Sequence, residues 1–162
     1  MAQSSLHTQD IGHEARNRTY ALILACLAGL FALRVMGQAI QSWTPLAALP
    51  PFESFQGSRI PYCALLSTQL ILIVIMMRVT SRVATGAMPR SARTAHVLGW
   101  AGGVYMAGSL VRIAIGLLIE NAPAWFSAWI SGVFHLVLAA FVLTLSAYHA
   151  GADTALERVR AC

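Results

Sequence analysis

Two arginines and a histidine stand inside otherwise apolar sequence: Arg34, Arg112 and His135. A charged side chain at the centre of a membrane helix costs about 2.5–3.5 kcal/mol on translocon scales, so such residues face protein or a polar cavity and usually serve a function. Arginine keeps its charge and offers a planar fork of donors that matches carboxylate or phosphate. Histidine donates, accepts or titrates. Each of the three sits in a polar stripe. Arg34, Gln38 and Gln41 fall at i, i+4 and i+7, and Tyr62 and Gln69 at i and i+7. Tyr105, Ser109 and Arg112 repeat the i, i+4, i+7 spacing, and Ser127, Ser131 and His135 fall at i, i+4 and i+8. These spacings keep side chains on one helical face. Four stripes at matched depth are best satisfied by facing one another. The expectation is a polar pocket lined by Arg34, Gln38, Gln69, Tyr105, Arg112 and His135, holding an anionic or quinone-like amphiphile. The competing expectation is a structural network, in which the arginines cap backbone carbonyls and bridge to Glu53 or Glu120.

The elements that must position these residues are membrane helices. Of the 162 residues, 57% are hydrophobic and 10% charged, against about 25% charged in a soluble domain. One domain is expected. Four runs are long enough to cross a hydrocarbon core, at about residues 20–42, 61–77, 95–119 and 125–148, and none contains Asp, Glu or Lys. Without water in the core each run must close its own backbone hydrogen bonds, which makes it a helix. Continuous apolar runs do not alternate as transmembrane strands do. The fold class predicted is an all-α integral membrane protein, four transmembrane helices in an antiparallel bundle, flanked by tails at 1–19 and 149–162. The polar 1–15 segment is expected to be disordered.

All eleven basic residues are arginine, and net charge is +5. In a soluble protein that balance would suggest nucleic acid; between apolar runs it reports topology instead, and no nucleic-acid partner is expected. Arg16, Arg18, Arg78, Arg82, Arg90, Arg93, Arg158 and Arg160 flank the spans on one side, and only Arg59 on the other. The positive-inside rule then puts both termini in the cytoplasm of a bacterial-type inner membrane, with the stripes in the outer half. The first run is too long for a signal h-region. Cys26, Cys63 and Cys162 offer no pair on the oxidising side, so no disulfide is expected. The outer loop 44–60 is apolar and proline-bearing, and either folds back as an interfacial helix or rests on lipid headgroups. Gly99, Gly103 and Ala107 are small residues at four-residue spacing, which suits packing inside the bundle or a homodimer face, the first being preferred.

His135 and His149 lie fourteen residues apart on the fourth run, on one face and about 21 Å apart. The pair resembles the one on the last helix of bacterial inner-membrane di-haem b-type cytochromes. That resemblance implies haem b with a second axial ligand from another helix. The family takes those partners from its first two helices, where this chain has no histidine, which leaves His96 as the candidate partner of His149. A C-x-x-C as in vitamin K epoxide reductase relatives, the paired aspartates of lipoprotein signal peptidases and the first-helix glutamate of small multidrug transporters are all missing from the sequence. So are a P-loop, a G-x-S-x-G and zinc-ligand spacing. The leading expectation is a small binding or anchoring subunit of a redox or transport complex, not itself an enzyme. The alternative is a b-type haem electron-transfer subunit. An enzyme using His135 as general base ranks last, because no residue supplies a nucleophile or metal.

Overall fold

The structure is a computed structural model and describes residues 2–44, 61–119, 126 and 129–151. It is helical throughout: α1 (Ala2–Trp43), α2 (Tyr62–Ala84), α3 (Ala92–Leu118) and α4 (Trp129–Ala150). All four contain a segment long and apolar enough to cross a membrane. Glu53, Glu120, Trp125, Ser127, Cys162 and the 45–60 loop lie outside the described residues.

Two helices run further than the hydropathy suggests. The backbone is helical from Ala2, so the expectation of a disordered 1–15 segment is corrected. No proline precedes Pro45 to stop the helix. Past the apolar run, Arg18 reaches Glu14 at 3.3 Å in the favourable i, i+4 order, and the Thr19 hydroxyl donates to the Ala15 carbonyl at 3.1 Å. At 42 residues α1 is roughly 63 Å long, about twice the hydrocarbon thickness. Likewise α2 continues from Met77 to Ala84, carrying Arg78 and Arg82 out on exposed helix. It stops at Thr85 and Gly86, whose φ of 67° is the left-handed conformation that glycine adopts without a Cβ penalty. Ser91 then starts α3 by accepting from the Thr94 N–H at 3.4 Å.

α1 and α4 form the central pair, α2 flanks α1, and α3 lies along α4 in the most extensive interface. On α1 the buried residues Ala21, Leu24, Ala28, Phe31, Val35 and Gln38 recur at alternating spacings of three and four, the seam of a left-handed bundle. Its last member is polar. The α3–α4 contact depends on missing side chains. A Cβ on Gly102 would sit 3.0 Å from Leu143, and one on Gly132 2.7 Å from Ile113. One on Gly99 would meet the Ser146 hydroxyl at 3.1 Å, while Gly103 has nothing within 4 Å. Of the small-residue stripe, then, only Gly99 packs inside the bundle. Gly103 and Ala107 are exposed on the flank, in a shallow groove of about 620 Å³ shared with Ala95, Trp100 and Ser146.

The arginine-bearing end of the bundle is tied by hydrogen bonds between elements. Arg90, in the α2–α3 connection, donates to Asn17 Oδ1 of α1 at 2.6 Å and lies 4.6 Å over the Tyr148 ring. Tyr148 donates its hydroxyl to the Met88 carbonyl at 3.0 Å and meets Tyr20 edge-on. The Ser91 N–H donates to His149 Nδ1 at 3.3 Å, and the Ser146 hydroxyl to the Ala95 carbonyl at 2.7 Å.

Candidate functional site

The polar stripes meet at the other end, where α1 and α3 finish and α2 and α4 begin. Counting from the ends of the helices, Arg34, Gln69, Arg112 and His135 lie roughly 9–13 Å inside. The site is continuous across all three main interfaces. Between α1 and α2, Gln69 Nε2 donates to Gln38 Oε1 at 3.3 Å. Within α1, an Arg34 guanidinium N–H donates to that same oxygen at 3.2 Å. Between α1 and α4, Arg34 lies 5.5 Å from the centre of the Phe134 ring, within cation–π range. Between α3 and α4, Tyr105 and His135 stack at a tilt, centroids 5.8 Å apart. Arg112 interacts electrostatically with Tyr105, and His135 feels the charges of both Arg112 and Arg34.

Burial sorts these six residues. Gln38 is fully buried, and Arg34, Gln69 and Arg112 expose 7%, 6% and 6% of their surfaces. Ser109 and Ser131 of the same stripes are buried too. His135 is half-buried, and Tyr105, at 38% exposed, stands at the edge of the cluster. One residue that the stripes did not include belongs here. Phe134 gives Arg34 an aromatic face. Ser131 gives its carbonyl to His135 Nδ1 at 2.6 Å. A carbonyl only accepts, so Nδ1 carries the ring proton and Nε2 is the acceptor of the neutral imidazole. An aromatic residue adjacent in sequence to His135 was the only available signal for Phe134.

The amide orientations follow from donor and acceptor types. Arginine only donates, so Gln38 must turn Oε1 toward Arg34. Gln69 must then present Nε2 to the same oxygen. Two buried atoms are left over, Gln38 Nε2 as a donor and Gln69 Oε1 as an acceptor, with no hydrogen-bond partner among the described residues.

The histidines behind the cytochrome resemblance lie in different surroundings. His135 belongs to the polar cluster. His149 is 2% exposed, under the Ser91–Arg90 segment, with Nδ1 engaged by the Ser91 N–H. His96 is exposed on the flank groove, its Nδ1 3.0 Å from its own helix's Ala92 carbonyl. The groove is shared with Ser146 and Ala150 and not with His149. Among the described residues no group of three His, Cys, Asp or Glu side chains could hold a metal ion. No family model, curated protein or solved structure matches this chain.

Proposed function

We propose that this chain is a polytopic inner-membrane protein with both termini in the cytoplasm. Its outer-half cluster holds the polar head of an anionic or quinone-like amphiphile. The chain serves as a binding or anchoring subunit of a redox or transport complex. One observation carries the reading: two guanidiniums, two glutamine side chains and an imidazole, contributed by four separate helices, gather at one level of an otherwise apolar bundle. Packing alone does not call for this. Replacing buried ionic groups with apolar ones of similar volume is often neutral or stabilising by about 1–4 kcal/mol. Intramembrane ionisable residues mark ligand and ion pathways by default, and an arginine fork suits a carboxylate, phosphate or quinone oxygen.

The test is retention of small molecules by the purified protein, read by native mass spectrometry. Arg34→Ala and Arg112→Ala should each release the co-purifying amphiphile, whereas Arg82→Ala, on exposed helix at the far end, should not. A folded Arg34→Ala/Arg112→Ala double variant that keeps its ligand overturns the site. Orientation is tested separately: a periplasm-dependent reporter should work when fused after Gly57 and fail after Gly86.

A further inference from the structure

The two glutamines say more about the ligand than the arginines do. Gln38 is fully buried, Gln69 is 6% exposed, and they come from different helices. Their single shared hydrogen bond, Gln69 Nε2 to Gln38 Oε1 at 3.3 Å, leaves the second half of the amide pair open. That half consists of one N–H donor, Gln38 Nε2, and one carbonyl acceptor, Gln69 Oε1, both buried and without a hydrogen-bond partner among the described residues. Flipping one amide does not close it. Turning Gln38 over would point N–H groups at the donor-only Arg34, and turning Gln69 over would set two carbonyl oxygens against each other. In a low-dielectric interior such leftovers are costly, so a group that completes the pair is strongly selected.

A quinone carbonyl only accepts and cannot satisfy Gln69 Oε1. A carboxylate or an ionised phosphate oxygen has the same limit. A hydroxyl satisfies both, because it accepts from Gln38 Nε2 and donates to Gln69 Oε1. We infer that the cluster selects ligands presenting a hydroxyl group to the Gln38–Gln69 pair. The inference rests on the proposed amphiphile site and narrows its occupant to a hydroxyl-bearing headgroup. Two sources offer that chemistry at this depth: the phenolic hydroxyl of a reduced quinol and the glycerol headgroup of an anionic phospholipid. Arg34, hydrogen-bonded to the same Gln38 oxygen, is placed to meet the remaining oxygens of either.

The experiment compares matched probes on the full chain in nanodiscs of zwitterionic lipid. One arm uses a short-chain hydroquinone kept reduced under anaerobic conditions, its quinone, and its di-O-methyl ether. The other uses phosphatidylglycerol against phosphatidylmethanol, a phosphodiester of the same charge that lacks the headgroup hydroxyls. In at least one arm the hydroxyl-bearing probe should bind about tenfold or more tightly than its partners, and the responding arm identifies the source. Gln69→Met, which keeps volume and removes the acceptor, should erase that preference while leaving arginine-dependent binding in place. Equal affinities within both arms overturn the inference. So does a preference that survives Gln69→Met. In those cases, if Arg34→Ala still weakens binding of every probe, the amphiphile site itself stands. Absence of binding by any probe to the unaltered protein overturns both. The comparison on the unaltered protein decides the matter even if Gln69→Met does not fold.

Discussion

Gln38→Leu is the most informative single change, because one oxygen of Gln38 receives hydrogen bonds from both Arg34 and Gln69. Leucine keeps most of the volume and fits the seam position between Val35 and the end of α1, so cavity formation contributes little. What is lost is hydrogen bonding. A bond from a charged donor contributes about 1.5–3 kcal/mol. Interhelical side-chain bonds in membranes average about 0.6 kcal/mol and reach about 1.7. Together these predict a loss of about 2–5 kcal/mol. The lower half is favoured because Arg34 keeps the Phe134 face. Gln69→Leu alone removes only the weaker bond and should cost about 0.6–1.7 kcal/mol. In the double variant the second change has little left to break, so a coupling of about 0.5–1.5 kcal/mol is expected. Reversible unfolding by detergent titration, or steric trapping in bicelles, measures all four corners of the cycle. Gln38→Leu within about 0.5 kcal/mol of the unaltered protein, or strictly additive variants, would refute the network as a structural unit.

Adjacent glycines on α3 should respond in opposite ways. Gly102→Leu must displace Leu143, and overpacking of that kind costs about 1–3 kcal/mol, whereas Gly103→Leu enters open space and should gain up to about 1 kcal/mol of helix propensity. Thermal unfolding of both separates them; equal behaviour would contradict the α3–α4 packing. At the arginine-bearing end, Arg90→Ala loses a bond to Asn17 and a cation–π contact, together about 2–4 kcal/mol, while Arg82→Ala stays within about 0.5. Tyr148→Phe, which removes only the bond to Met88, should cost about 0.5–1.5 kcal/mol. A costless Arg90→Ala in the same unfolding assay would show that this end is held by apolar packing instead.

How much of this was legible in the residues depends on the distance over which the cause acts. The four spans are a local property of hydropathy and were readable directly. The polar stripes are nearly local, since i, i+4 and i+7 depend only on helix pitch, and Arg34–Gln38 is such a pair. That Gln69 meets Gln38 is not local. It depends on α2 lying against α1, which four similar hydropathy profiles do not specify. Polarity in the 1–15 segment argues against a buried core but not against a helix, and that segment holds no proline. The small-residue stripe was half right. Gly99 does pack inward, yet the closest approach at an α3 glycine is at Gly102, one residue off the four-residue repeat, where Leu143 of α4 inserts. Asn17 and Arg90 gave no sequence signal as a pair, because 73 residues separate them.

The two ends of the bundle use polar groups differently. At the arginine-bearing end the side chains pair mostly with backbone groups or with one another: Tyr148 with a carbonyl, Ser91 with His149, Arg90 with Asn17. Such bonds fix a connection and join α1 to α4 and the 85–91 turn. At the other end Arg34 and Gln69 converge on one oxygen, and an N–H and a carbonyl remain over in fully buried positions. A bundle selected for stability alone would fill that level with leucine, since local rules broken without structural gain concentrate at functional sites. At the arginine-bearing end His149 Nε2 is likewise buried without a hydrogen-bond partner among the described residues. It is a lone donor beside the Arg90 guanidinium, with no matching acceptor next to it, and so it offers a ligand less than the donor–acceptor pair of Gln38 and Gln69 does. The asymmetry therefore directs the search for a ligand to the glutamine level of the bundle, and to chemistry that donates and accepts at once.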